Sequence, residues 1–115
     1  MARKFNRGAI VHLEFDPAAG TEMKGDHFAL VVSPNDFHGV GLHIVCPISG
    51  GSSEKARVAG YLVSLMGCGT KTDGNVHVHQ VKAMDLDVRQ AKFIEYVPDY
   101  LLKEVTDKLD GLFCD

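Results

Sequence analysis

The chain has 115 residues, and chains divide into several domains only at about twice this length, so we expect one domain covering residues 1–115. Hydrophobic residues make up 45% of the sequence and charged residues 23%, a balance that predicts a packed core rather than a disordered chain. The net charge of −3 is unusual for a nucleic-acid-binding protein, because such proteins are mostly basic. Any binding of nucleic acid must therefore depend on a local site.

The apolar segments are short. None approaches the roughly 20 residues that a membrane helix needs, and the basic start of the chain lacks the apolar stretch of a signal peptide. We therefore expect a soluble, cytoplasmic protein without membrane contact. The three cysteines are odd in number and widely spaced, which argues against a disulfide framework or a thiolate zinc site. Cys46 lies in an apolar run and is most simply a core residue.

Short segments with alternating apolar residues predict a series of β-strands. In the first, Val11, Leu13 and Phe15 alternate with His12 and Glu14, the pattern of a half-buried strand. Turn-forming or glycine-rich segments separate the strands, and the segment 49–53 has the composition of a mobile loop. The predicted strands cover residues 9–15, 27–33, 41–48, 57–65, 75–82 and 92–96, with a short helical turn near residues 85–89.

The end of the chain has the pattern of an amphipathic helix. Pro98 suits the first position of a helix, where a missing N–H costs nothing. The apolar residues that follow recur at helical spacing and predict one stripe packed on the sheet: Leu101, Leu102, Val105, Leu109 and Leu112. Short antiparallel strands followed by a closing helix predict a mainly β fold, a small and partly closed β-barrel.

The segment 76–81 contains the pattern most relevant to chemistry. Side chains two residues apart in a strand share a face, so His77 and His79 should point away from Val76 and Val78, about 7 Å apart at their origins. Two imidazoles that titrate near neutral pH can serve as a base and an acid. Cleavage of RNA by its own 2′-hydroxyl needs such a pair, together with a cation or dipole for the phosphorane.

The spacing of these histidines leaves other readings open. A His-x-His pair on a strand also suits zinc, and a third ligand is available in principle from His12, His27, His38 or His43. Exposed histidines without any role are common as well. Spacing alone does not decide among acid–base chemistry, metal binding and neither.

Residues 15–22 read FDPAAGTE, which is similar to the pattern D-P-[TA]-x-G-[HS]-E. This is the most specific match to the MazF/PemK/ChpB family of toxin endoribonucleases, which the chain resembles over nearly its whole length. Further matches follow the order of the family's motifs: residues 7–11 (RGAIV), 29–34 (ALVVSP), 45–51 (VCPISGG), 78–85 (VHQVKAMD) and 89–92 (RQAK), with the helix after Pro98 corresponding to the family's closing helix.

The resemblance implies an SH3-like, partly closed antiparallel β-barrel with a C-terminal helix, the MazF/CcdB toxin fold. It implies a homodimer that holds single-stranded RNA in a groove and cuts it at a short sequence by 2′-hydroxyl attack. The products are a cyclic phosphate and a 5′-hydroxyl, and no metal or other cofactor takes part. The family's partner is a MazE/PemI-like antitoxin, whose flexible C-terminal segment occupies the same groove.

The resemblance also implies the site residues, with departures from the family pattern. His27 stands where the family usually has an arginine, and His77 and His79 stand where PemK-like members have Arg and Asp. The histidines give a candidate catalytic set, with His79 as base, His77 as acid and His27 on the phosphate, and predict a bell-shaped pH dependence. The candidate substrate-binding residues are Thr21, Glu22, Ser49, Lys71 and Gln80.

These departures leave alternatives to an active nuclease. One is a catalytically altered or inactive toxin-fold protein that acts by binding RNA or an antitoxin. Another is a CcdB-like protein that binds a topoisomerase, although such proteins normally end in a helix that contains tryptophan, and this chain has no tryptophan.

Overall fold

Strands dominate the computed structural model, which describes residues 5–50 and 54–114. The seven strands are β1 (Ala9–Glu14), β2 (Asp26–Val31), β3 (His43–Ser49), β4 (Leu62–Ser64), β5 (Asn75–His77), β6 (Lys82–Met84) and β7 (Lys92–Tyr96). The helices are α1 (Glu54–Ala59) and α2 (Asp99–Phe113), and there are 3₁₀ segments at Asn35–Val40 and Val78–Gln80. We refer to the second of these as the 78–80 turn.

The strands form one antiparallel sheet in the order β4-β5-β3-β2-β1-β7, with β6 also paired to β3. The two ends of this order, β4 and β7, are not hydrogen-bonded to each other in the part of the chain that the structure describes. The mainly β fold with a C-terminal helix is confirmed, but in the described residues the sheet does not close into the predicted barrel, because its edge strands β4 and β7 are not paired.

Both faces of the sheet are buried. One face packs against α2 and contributes Ile10, Leu30, Cys46, Ile48 and Val76 to a core cluster that includes Leu101 and Val105 of the helix. The other face forms a second cluster around Val11, Leu13, Phe15, Val31 and Val45, covered by Phe5 and Leu86. In β1, Val11 and Leu13 belong to the second cluster whereas His12 and Glu14 are only partly buried, so the predicted half-buried strand is confirmed.

The predicted stripe of the C-terminal helix is confirmed. Leu101 and Val105 are buried, and Leu102, Leu109 and Leu112 pack against the same cluster. Cys46 is fully buried, as predicted, and burial raises the pKa of its thiol to about 12, so it stays protonated and unreactive.

Two local predictions were wrong. Residues 57–59 belong to α1 rather than to a strand, because Gly60, at φ 82°, ends the helix in the left-handed conformation that glycine permits, and β4 begins only at Leu62. The strand predicted over residues 75–82 is split into β5, the 78–80 turn and β6. The short helical turn predicted near residues 85–89 is confirmed: the Arg89 N–H donates to the Asp85 carbonyl at 3.1 Å, within a run of turns over residues 86–90. Most of the predicted mobile segment 49–53 lies outside the described residues.

The loop between β4 and β5 is hydrogen-bonded to β7, the strand at the opposite edge of the sheet. The Glu95 carboxylate on β7 accepts hydrogen bonds from the Lys71 N–H (3.1 Å), the Thr72 N–H (2.9 Å) and the Thr72 hydroxyl (2.8 Å). Burial by itself would raise the pKa of Glu95, but these hydrogen bonds outweigh it and hold the pKa below its usual value. One ionised side chain therefore ties this loop to β7.

Within the described residues, no helix is long and apolar enough to span a membrane.

Replacing Glu95 with alanine should weaken the attachment of the loop between β4 and β5 to β7. The variant leaves Thr72, which is only 6% exposed, without its acceptor, and we expect the free energy of unfolding to fall by about 1 kcal/mol at pH 7. Because the pKa of Glu95 is lowered in the folded state, its contribution to the free energy of unfolding is present above pH 4.5 and is lost as the pH falls further. Urea unfolding at pH 7 and pH 3.5 measures it. Glu104→Ala, an exposed change on α2, is the control, and equal losses in both variants would contradict the assignment.

Candidate active site

A groove of about 940 Å³ opens on the face of the sheet opposite α2. Its walls come from distant parts of the chain: the loop 18–24, the end of β3, helix α1, and the segment from β5 to β6. Six of the eight site residues predicted from the sequence line the groove: Thr21, Glu22, Ser49, His77, His79 and Gln80. The fold therefore assembles most of the predicted site.

The two groove histidines lie side by side, with ring centroids 5.7 Å apart and ring planes inclined by 33°. Val76 and Val78 are fully buried in the cluster beneath α2, so the side chains between and after them turn to the groove. The predicted sidedness is thus correct, although His79 lies in the 78–80 turn rather than in a strand. His77 is only 4% exposed, whereas His79 is half-buried and presents more of its ring.

The surroundings of His79 favour its neutral form. Burial lowers the pKa of His79, and its Nδ1 is buried without a hydrogen-bond partner. An imidazolium carries an N–H on both ring nitrogens, so a buried nitrogen without an acceptor makes the protonated form more costly. A neutral imidazole at neutral pH can accept a proton, which is what a general base requires.

Tyr61, which the sequence analysis did not single out, forms the wall beside His79. The two rings lie nearly parallel, with an interplanar angle of 23° and centroids 5.7 Å apart. The Tyr61 carbonyl also accepts the Val78 N–H at 3.0 Å, which fixes the tyrosine to the 78–80 turn. No local pattern indicates this contact, because it depends on the hydrogen bonds that join β4 to β5.

Gln80 holds the loop 18–24 against the 78–80 turn. Its Oε1 accepts the Met23 N–H at 2.6 Å, and its Nε2 donates to the Thr21 carbonyl at 3.3 Å. Glu22 is exposed, and one of its oxygens accepts the Ala19 N–H at 2.9 Å. Gln80 therefore positions the groove wall, while the Thr21 side chain stays exposed at the rim.

Ser49 ends β3 opposite Asn75, at the rim of the groove. Gly74 packs directly on its backbone: a Cβ at residue 74 would lie 2.9 Å from both the carbonyl carbon and the oxygen of Ser49. Gly74 also has a φ of +116°, which L side chains rarely adopt. The position of Ser49 thus depends on a glycine at residue 74.

Two predicted site residues lie elsewhere. His27 does not line the groove; its imidazole packs edge-on against the groove residue Phe15, with centroids 6.2 Å apart. Lys71 lies in the loop that Glu95 holds against β7, and it too is absent from the groove lining. Both assignments came from the resemblance or from loop composition rather than from strand sidedness.

The remaining histidines do not converge on His77 and His79. His38 and His43 stack on each other, with centroids 3.9 Å apart, beside a second cavity of about 580 Å³, and His12 packs against Phe28. Among the residues that the structure describes, no group of three or more His, Cys, Asp or Glu side chains is placed to hold a metal ion. The groove pair therefore has no third ligand in this part of the chain.

The family profile of the PemK-like, MazF-like toxins of type II toxin–antitoxin systems matches residues 6–113. The chain belongs to this family. It is 38% identical over 107 residues to the endoribonuclease PemK of Escherichia coli, covering 92% of this chain and 80% of PemK. It is 39% identical over 110 residues to the endoribonuclease toxin ChpB of Escherichia coli K12, covering 95% of this chain and 94% of ChpB.

Solved structures of MazF from Deinococcus radiodurans share the fold of this family member. The crystal structure of that MazF is 31% identical in sequence and superposes with a TM-score of 0.82, covering 97% of this chain and 98% of MazF. MazF in a crystal structure of a MazE–MazF complex from the same organism is 30% identical and gives a TM-score of 0.76, with 94% of each chain covered.

Replacing Gly74 with alanine should disturb Ser49 specifically. We expect a loss of roughly 1–3 kcal/mol in the free energy of unfolding from the backbone conformation alone, with more from the clash. Gly69→Ala is the matched control, since Gly69 has a φ of +90° but nothing within 4 Å of its missing Cβ. Urea unfolding and amide NMR shifts measure both variants. Equal losses, with unmoved Ser49 and Gly50 amides in Gly74→Ala, would contradict the packing argument.

Proposed function

We propose that this toxin-family protein is a single-domain endoribonuclease that cuts single-stranded RNA in the groove at a short sequence, without a metal ion. The observation that supports this most is the pair of adjacent imidazoles in the groove, with His79 held neutral. The names of the relatives PemK and ChpB, both endoribonucleases, support the same activity.

The proposed reaction needs only a base, an acid and the substrate's own nucleophile. His79 removes the proton from a 2′-hydroxyl, whose oxygen attacks the adjacent phosphorus. His77 donates a proton to the 5′-oxygen as the bond from phosphorus to that oxygen breaks. The products are a 2′,3′-cyclic phosphate and a 5′-hydroxyl, and each histidine ends in the protonation state in which the other began.

The supporting residues have different roles in this proposal. Gln80 holds the loop 18–24 in place through its two hydrogen bonds, so that Thr21 and Glu22 stand at the groove rim where they can touch RNA. Ser49 offers a hydroxyl at the end of β3. His27 and Lys71, which lie outside the groove lining, have no direct role in the reaction as we propose it.

We also propose that the protein is a cytoplasmic homodimer inhibited by a MazE/PemI-like antitoxin whose flexible C-terminal segment occupies the groove. The similarity to MazF in a MazE–MazF complex supports an antitoxin partner. An extended peptide in this groove would cover His79 and Tyr61 and so exclude RNA.

Purified protein should cut a long single-stranded RNA in the presence of EDTA, leaving cyclic phosphate and 5′-hydroxyl ends. His79→Ala removes the base, and we expect the rate to fall by about 10²–10⁴-fold. His12→Ala, which removes the same side chain from β1 outside the groove, should keep most of the activity.

The assay separates the possible failures. Intact RNA with folded, antitoxin-free protein would overturn the nuclease. Undiminished cleavage by His79→Ala would leave a nuclease but remove His79 from its mechanism.

A further inference from the structure

The charged residues of the groove are mainly positive, although the net charge of the chain is negative. The chain as a whole carries a net charge of −3, yet the described groove lining contains two lysines, Lys55 and Lys82, and one carboxylate, Glu22. The Glu22 carboxylate already accepts a hydrogen bond from its own loop. Among the described lining residues, the two ammonium groups are the permanent positive charges.

Both lysines are available for a ligand. In the described part of the chain the ammonium groups of Lys55 and Lys82 form no salt bridge and no hydrogen bond; the ion pair found there joins Lys103 to Asp107 on α2. Lys55 is exposed on α1. Lys82 begins β6, paired with Val45 of β3, so its backbone position is fixed by the sheet.

The reaction needs a charge that the histidine pair does not supply. A phosphodiester carries one negative charge, and the phosphorane formed by attack carries more. A histidine gives a phosphate only an intermittent charge, unlike the permanent charge of arginine or lysine. His27, the predicted phosphate ligand, does not line the groove itself, and its ring packs edge-on against Phe15, which does.

We propose that Lys55 and Lys82 hold the RNA backbone phosphates on the groove, one from α1 and one from β6. This inference rests on the proposed function and assigns its phosphate contacts to two lysines that the sequence analysis did not name as site residues. It also explains how a chain of net negative charge binds a polyanion: two cations are concentrated where the two histidines lie, and the acidic residues are mostly elsewhere.

The salt dependence of RNA binding tests the proposal. The probe is a 20-nucleotide single-stranded RNA with 2′-fluoro riboses, which lack the attacking hydroxyl, so that binding is measured without cleavage. Fluorescence anisotropy gives the binding constant between 50 and 300 mM KCl. Each lost phosphate contact should reduce the slope of log K against log salt by about 0.7. We expect this for Lys55→Gln and for Lys82→Gln.

Three further variants separate charge from structure. Lys103→Gln removes a lysine on α2 outside the groove and should leave the slope unchanged. Lys55→Arg and Lys82→Arg keep the charge and should restore the slope. If wild-type protein binds the probe and both glutamine variants bind it with the same salt slope as wild type, the lysine assignment is overturned and the nuclease proposal stands. Wild-type protein that does not bind the probe at all would overturn both.

Discussion

The burial of Val76 and Val78 under helix α2 determines where the chemistry of this protein takes place. Both valines are fully buried in the cluster that contains Leu101 and Val105. Turning either imidazole inward would expose a valine or bury an unpaired ring nitrogen, and each change is costly. The alternation of apolar and polar residues therefore fixes two histidines on the groove face, even though the backbone changes from strand to 3₁₀ turn between them.

The surroundings of the two groove histidines differ, and those of His79 affect its protonation. His79 lies against Tyr61, with Nδ1 buried and unpaired, so the neutral ring is favoured. Gln80, the next residue, uses its amide to hold the opposite wall of the groove. A short segment thus provides the proposed base, its environment and the tether of the loop 18–24. Positive charge enters separately, from Lys55 and Lys82.

Much of this could be predicted from the sequence, because the informative signals were local. The stripe of α2 and the sidedness of residues 76–79 both follow from periodicity. Helix α1 was missed although Gly60, a typical residue after a helix end, marked its boundary. The contact of Tyr61 with His79 could not be found in this way, because strand pairing between distant segments creates it.

The resemblance to the family predicted the fold and most of the groove residues correctly, but it also placed in the groove a residue, His27, that does not line it. His27 occupies the place of a family arginine, yet its shorter ring packs on Phe15 and does not line the groove. The substitution of Arg and Asp by His77 and His79 is the more consequential departure, because it changes which groups can gain and lose protons near neutral pH.

The pH dependence of kcat/KM for RNA cleavage between pH 5 and 9 tests the proposed histidine mechanism most directly. The account predicts a bell-shaped profile. Its rising limb should lie below pH 6.5, the usual pKa of histidine, because burial lowers the pKa of His79 and the base must be neutral. Activity should fall at higher pH as the acid loses its proton. A flat profile, or one that rises steadily to pH 9, would contradict the assignment of base and acid to this histidine pair.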